Sequence, residues 1–415
     1  MKRTILAVSV CLGVSPAYAT DWALNSTLSQ TVEANDNEFL RTMLAGGTLQ
    51  SYSTINANAV ALTPDSKFTF DGDISYRKYF GGTDGGQSES LAGDTKFHYE
   101  TFGKDPNDRN YVDASWNRQS TAFALLGQLG IVTNTRGFLD ISTVGGGIDR
   151  SISALDFVSL SARSTYTSYD PGTGGTAFTD STATGLWRHK VNSIATLTAS
   201  SNVEELNFAN TLGTNILILR ENAGVEATFS PLLSFRGSAG VAYVQTYNGV
   251  PTTSLTPSNG IAFSTSGSES DFITDLLLTY KMLPDTTLTL AGIQTIAPTV
   301  VGSLTKQTTV RAGVTHIVNS HSTISFATDA TQQVALGSTT DFLSASVTYG
   351  YQLTREWNAQ LTYRYLHRLA QSGSSATETI DPLTGIPIFT GQGPASSNSI
   401  MVVVSRSVSI LPNGY

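Results

Sequence analysis

From Phe68 to Phe80 the chain reads FTFDGDISYRKYF, and its residues change character one by one. Phe68, Phe70, Gly72, Ile74, Tyr76, Lys78 and Phe80 hold the even positions, and Thr69, Asp71, Asp73, Ser75, Arg77 and Tyr79 the odd ones. Successive side chains of an extended chain point to opposite faces, so this alternation predicts one long strand with an apolar and a polar face. It is longer than the usual globular strand of about five or six residues. The same period returns along Leu343–Leu353 and Trp357–Tyr365, and in Phe235, Gly237, Ala239, Val241 and Tyr243 opposite Ser234, Arg236 and Ser238.

Short turn signals punctuate these segments: Thr63–Lys67, Lys104–Asn110, Arg150–Asp156, His189–Ser193, Ser230–Leu233, Met282–Asp285, Asn319–Ser322 and Leu353–Glu356. They are built from Pro, Asp, Asn and Ser, which preset φ or bond their own backbone. Between them lie longer stretches rich in Gly, Ser, Thr and Asp: Gly81–Asp94, Asp170–Ser181, Gly249–Ser270 and Ala370–Asn398. Eight turns join sixteen strands, and Trp22–Val32 and Ser399–Leu411 add one at each end. The expectation is an all-β, antiparallel up-and-down β-barrel of 16–18 strands, with short turns and both termini at one end. Ser120–Thr135 and Asn202–Thr214 are ambiguous in this count.

Alternation of this length distinguishes two environments. No later stretch approaches 18 consecutive apolar residues, so no transmembrane helix is expected. Lipid cannot satisfy backbone N–H and C=O groups, so a sheet crosses a membrane only when closed. Its apolar parity then meets lipid and its polar parity faces a wet lumen. A soluble β-helix or sandwich would need another layer on its apolar face, and the sequence offers no amphipathic helices to provide one. Aromatic residues near strand ends (Phe68, Phe80, Tyr349, Tyr351, Trp357, Tyr365) suit interfacial girdles.

The first residues read as an export signal. Lys2 and Arg3 precede the apolar Ile5–Val14, and Ala17-Tyr18-Ala19 is an A-x-A cleavage site. Residues 1–19 are therefore expected to be removed, and 20–415 to form one barrel domain. Cys11, the one cysteine, lies inside that signal, and Val10 stands where a lipobox requires Gly or Ala. The mature chain then has no disulfide or thiolate metal site. Without Lys2 and Arg3, 22 basic residues face 32 acidic ones, a net charge of −10, which excludes a nucleic-acid partner.

Candidate chemistry is sparse. His316 and His321 flank a turn, and His321-Ser322 are neighbours whose side chains point apart on a strand. His316 and His321 read as interface or turn histidines, and His98, His189 and His367 complete the set of five. Gly145-Gly146-Gly147 lacks the helix that a phosphate loop needs and reads as a strand that excludes bulky side chains. Glu204/Glu205 and Asp71/Asp73 are acidic pairs. Asp71, Asp73, Arg77, Arg236, Arg311 and Arg364 all take the polar parity and are the expected pore lining. No catalytic residue, cofactor or metal site is expected. Arg406 is awkward, because it shares the apolar parity of Ile400, Val402, Val404, Val408 and Ile410. Either a bulge shifts the register there or Arg406 sits at an interface.

The N-terminal stretch is the most recognisable. Glu33-Ala34-Asn35-Asp36-Asn37 ends a strand, the turn Thr63-Pro64-Asp65-Ser66 follows, and an aromatic strand leads to Tyr79-Phe80. This resembles the β-barrel porin 2 type of outer-membrane protein, a group associated with exopolysaccharide synthesis and export loci. The resemblance covers the mature chain in architecture and implies no catalytic residues or cofactor. It implies outer-membrane lipid and the barrel-assembly machinery as partners, and a channel for small polar solutes or polysaccharide. The alternatives are a non-conducting surface scaffold and a barrel enzyme, a lipase or protease. The apolar Ile386-Pro387-Ile388-Phe389 is a candidate inward constriction or exposed tip.

Overall fold

The computed structural model describes residues 21–411 apart from 39, 41–45, 81–88, 104, 106, 122–136, 172, 174, 211–212, 249–266, 299–303, 336–337, 370–377, 381–386 and 390–392. The expected export signal, including Cys11, and Ile386 lie outside the described residues. The first nine strands are β1 (Asp21–Asn35), β2 (Thr48–Leu62), β3 (Ser66–Phe80), β4 (Glu89–Phe102), β5 (Arg109–Ser120), β6 (Phe138–Ser151), β7 (Asp156–Tyr169), β8 (Phe178–Lys190) and β9 (Ala195–Phe208). They are followed by β10 (Asn215–Ser230), β11 (Leu233–Tyr247), β12 (Gly267–Leu283), β13 (Thr286–Pro298), β14 (Leu304–Asn319), β15 (Ser322–Ala335), β16 (Ser338–Gln352) and β17 (Trp357–Arg368). A two-stranded hairpin, β18 (Glu378–Ile380) and β19 (Pro387–Phe389), precedes the last strand, β20 (Ala395–Leu411).

Each long strand pairs antiparallel with its sequence neighbour, and β20 pairs with both β17 and β1. The result is a closed 18-stranded antiparallel β-barrel. Among the described residues no helix is long and apolar enough to cross a membrane. Eighteen strands spaced about 4.8 Å and tilted about 40° close at a backbone diameter of roughly 36 Å. Fourteen residues at about 3.4 Å each then project to roughly 36 Å of height, enough for an apolar band of about 25 Å.

All eight short turns fall where the sequence places them, and seven of them share one chemistry. Ser66 N–H donates to Thr63 Oγ1 at 2.9 Å, and Asp156 N–H to Ser153 Oγ at 3.0 Å. Asn192 Oδ1 accepts from the N–H groups of Ile194 and Ala195, and Thr354 Oγ1 from those of Glu356 and Trp357. A short polar side chain thus satisfies the backbone at the bend. At the opposite end, strands run further than expected. Composition places Glu89–Asp94, Phe178–Ser181, Gly267–Ser270 and Ala395–Asn398 in loops, but they belong to β4, β8, β12 and β20. Beyond the apolar band neither face requires apolar residues, so the alternation fades while the backbone ladder continues.

The register fixes the two faces. Ile55 pairs with Ile74, and both stand on the outside at 57% and 60% exposure. Following pairs around the ring keeps Leu28, Leu91, Val112, Leu160, Val203, Val241, Leu276, Val310, Phe326, Val347, Leu361 and Val402 on that outer face. Such a girdle of exposed apolar side chains is stable only against hydrocarbon. The barrel is transmembrane.

Candidate functional site: the lumen wall

The opposite parity lines the lumen, and the structure places Asp71, Asp73, Arg77, Arg236, Arg311 and Arg364 on it. They do not form one ring. Arg364 Nη2 reaches Glu33 Oε1 at 3.2 Å across the β20 seam, and Tyr52 Oη donates to Glu33 Oε2 at 3.0 Å. The Arg77 guanidinium lies 4.2 Å from the centre of the Tyr52 ring and donates to Tyr79 Oη at 3.0 Å. Two expected arginines therefore meet around one carboxylate and two tyrosines. Beside this group, burial pushes the Glu38 carboxyl in the β1–β2 connection above its ordinary value.

Arg236 stands apart near the turn end, 3.8 Å from Asp275, and Arg311 lies opposite Asp329 in register. Asp73 faces Asp94 across the β3–β4 ladder, with Lys96 Nζ 2.8 Å from Asp94, while Asn58 donates to Asp71 at 2.9 Å. Closer to the turns, Arg109 pairs with Asp149 and approaches Glu100 at 3.8 Å, and Lys67 approaches Glu100 at 3.6 Å. The wall is thus polar and charged with both signs interleaved.

The strand histidines His98, His189, His316 and His367 stand on four different strands, β4, β8, β14 and β17, and do not gather into one site. His98 Nδ1 lies 2.5 Å from Asp113 and its Nε2 3.7 Å from Glu100, so both ring nitrogens meet carboxylates rather than a nucleophile. His316 Nδ1 faces both Thr286 Oγ1 at 2.8 Å and Asp285 at 4.0 Å, two partners for one nitrogen. His189 pairs with Asp156, and His367 with Ser396, at opposite ends of the outer face. Among the described residues no three His, Cys, Asp or Glu side chains are grouped as a metal would require. Gly147 lies beneath Tyr111, whose Oη would be 2.6 Å from an added Cβ, so this glycine admits a ring rather than a phosphate.

Part of the lumen wall is apolar, which sequence alternation did not reveal. Phe178, Leu206, Phe208, Ile216, Ile218, Ala242, Val244 and Ile273 occupy the inward parity of β8–β12 toward the loop end. Ile296 and Leu304 complete that cluster from β13 and β14. The available signal was Ile216-Leu217-Ile218-Leu219, an uninterrupted apolar run of the kind found in strands covered on both faces. Pro387–Phe389 of the expected constriction pairs with Glu378–Ile380.

A closed transmembrane barrel with an apolar outside and a charged inside has the architecture of outer-membrane β-barrel proteins. The FrpB iron transporter from Neisseria meningitidis (F5-1 variant, apoprotein form) is similar in fold, with a TM-score of 0.50 at 7% identity, over 94% of this chain and 81% of that one. Two further structures align at lower scores: Pseudomonas aeruginosa OccK8 (OprE), TM-score 0.49 at 9% identity, and Acinetobacter baumannii OccAB2, TM-score 0.48 at 9% identity. Each of those alignments covers 94% of this chain and 98% of the other. No family model and no curated protein sequence matches the chain.

Proposed function

We propose that this protein is a porin-like channel of the outer membrane that passes polar solutes by size and charge. The observation that carries the reading is the reversal of faces in a closed wall: exposed Ile55, Ile74 and Val310 outside, and charged Arg236, Asp275 and Arg311 inside. A chain with that distribution needs lipid around it and water within it. The turn end, where β1 begins and β20 ends, faces the periplasm, and the longer connections face outward. Outer-membrane lipid and the barrel-assembly machinery are its partners. Interleaved charges of both signs give a weak ion preference. The finer reading, passage of a secreted polysaccharide, is supported by the exopolysaccharide-linked resemblance and by tyrosines 52, 79, 111 and 169 on the inward parity, which can stack on sugar rings.

Purified protein in planar bilayers is expected to give stepwise conductance, and liposomes containing it to swell with short neutral sugars. Folded, heat-modifiable protein that gave neither would overturn the channel and leave a surface scaffold.

A further inference from the structure

The ends of β13 and β14 turn away from β12 into the barrel, while β14 stays paired with β15 as far as Thr305 and Ala335. Ile296, Leu304 and Lys306 share the outward parity of Gly292, Val310 and Thr308, because the ladder between the two strands runs without a register shift. Val310 is 61% exposed to the outside, yet Ile296 is 3% and Leu304 0% exposed. Both belong to one apolar cluster with Ile216, Ile218, Val244 and Ile273, which carry the inward parity. An outward face can pack on an inward face only if this hairpin end has moved inside the barrel.

Three polar contacts give the same geometry. The Arg220 Nη2 group on β10 donates to the Ile296 carbonyl at 3.0 Å. Neighbours in the wall lie about 4.8 Å apart, so three strand spacings separate β10 from β13 by about 14 Å, beyond an arginine's reach. Lys306, again of outward parity, places Nζ 2.7 Å from Asp271, which pairs in register with inward-facing Ala242. The β12–β13 ladder reaches only Thr274 and Gln294, so β13 is released from β12 above that level. The Gln294 side chain then donates to the Phe272 carbonyl that the ladder leaves at the parting. Arg220 is itself fixed by Glu204 and by Asn202 at 2.9 Å.

We propose that the inward-turned β13–β14 end is the size-limiting shelf of the channel, held by this apolar cluster and by Arg220 and Lys306. The inference rests on the channel reading and says which element sets its cutoff. Packed sheet layers lie about 10 Å apart and paired strands about 4.8 Å, so the inward-turned ends of β13 and β14 alone occupy roughly 100 Å² of cross-section. In a lumen roughly 26 Å wide that is about a fifth of the area.

The test uses a charge-neutral release, Ile296→Asn with Leu304→Asn, which places amides in the apolar cluster. An Ile218→Cys reporter sits on the wall beneath the shelf, in a chain whose sole native cysteine is Cys11. With the shelf intact the reporter should resist a water-soluble maleimide; with the release substitutions it should be labelled. Single-channel conductance should rise by about a fifth or more, and longer neutral sugars should enter. Ile296→Val serves as the conservative control, with wild-type conductance and protection. Heat-modifiable gel mobility establishes that each variant is a folded barrel. If the release substitutions prevent folding, the Arg220→Ala/Lys306→Ala pair is read by the same labelling and by sugar swelling, which does not respond to charge. Labelling with unchanged conductance and cutoff would overturn the shelf while leaving the channel intact. A reporter already reactive behind the native hairpin would overturn its placement. Absence of any conductance would overturn the channel itself.

Discussion

Arg406 shows how much a single position can decide in a membrane wall. Its parity put a cation among lipid-facing valines, and two escapes were open: a bulge, or a place at the interface. The structure takes the second. Arg406 pairs with Trp357, the first residue of β17, binds Glu356 at 3.0 Å and lies 5.7 Å from the Trp357 ring centre. The register shift falls further along, between Leu24 and Asn25. Arginine costs about 2–4 kcal/mol at the bilayer midplane and about 0–1 near an interface. Arg406→Leu is therefore expected to change unfolding free energy by less than about 1 kcal/mol, and Val402→Arg to cost about 2–4 kcal/mol. Denaturant titration from lipid vesicles measures both; equal effects would remove the interfacial placement. Inside the lumen, Glu33 is the carboxylate shared by Arg364 and the Tyr52–Arg77 pair. Glu33→Gln leaves those cations unbalanced, so the reversal potential in a salt gradient should move toward anion preference. Parity assigns Arg77 and Arg364 to the lumen but cannot join Arg364 to Glu33, because the two are 331 positions apart and meet only when the barrel closes.

The elements were legible in the sequence wherever one face is wet and the other oily. β3 and β17 could be read residue by residue, and each turn carried its own hydroxyl, amide or carboxylate signal. Legibility failed in two places for different reasons. At the loop end both faces are polar, so strand and loop have the same composition, and β12 begins inside a segment that looked like loop. At Ile216–Leu219 both faces are apolar, because a second layer lies within the barrel, and alternation again vanishes. The triglycine of β6 is a third kind of signal, correctly read as exclusion of side chains but without its cause. At Gly147 an added Cβ would lie 2.6 Å from Tyr111 Oη and 2.7 Å from the Leu160 carbonyl oxygen. Gly185 on β8 meets nothing nearer than Leu160 Cδ2 at 3.5 Å. Gly147→Val should thus destabilise by about 1–3 kcal/mol, whereas Gly185→Ala should stay within about 0.5 kcal/mol. Comparable midpoints for the two variants in the same denaturant series would contradict the ring-over-glycine packing.

At the scale of the whole molecule, stability depends on the absence of an edge. The β1–β20 seam joins strands from the two ends of the chain, and its loop end is fastened by polar side chains. Asp36 accepts from both the backbone and side-chain N–H groups of Asn398 at 2.7 Å, and Asn35 Oδ1 accepts from Ser397 Oγ at 2.9 Å. In water an open seam would be hydrated at little cost. In hydrocarbon every unpaired backbone group costs several kcal/mol, so opening one seam is equivalent to losing the fold. A chain shortened to end before Ala395 keeps seventeen long strands, every turn and most of the apolar girdle, yet presents β17 and β1 as two bare edges. Local propensity is nearly unchanged by that truncation, so a wall held together strand by strand would still form. A wall that depends on closure would not: the shortened chain should show no heat-modifiable band, no protease-resistant core in vesicles and no conductance. Restoring β20 as a separate peptide tests the same point from the other side, since it supplies both missing ladders at once. Recovery of the folded band with that peptide, and not with one carrying proline at Val402, would place the driving force in the backbone pairing of the seam, because proline removes a ladder donor where lipid offers no replacement.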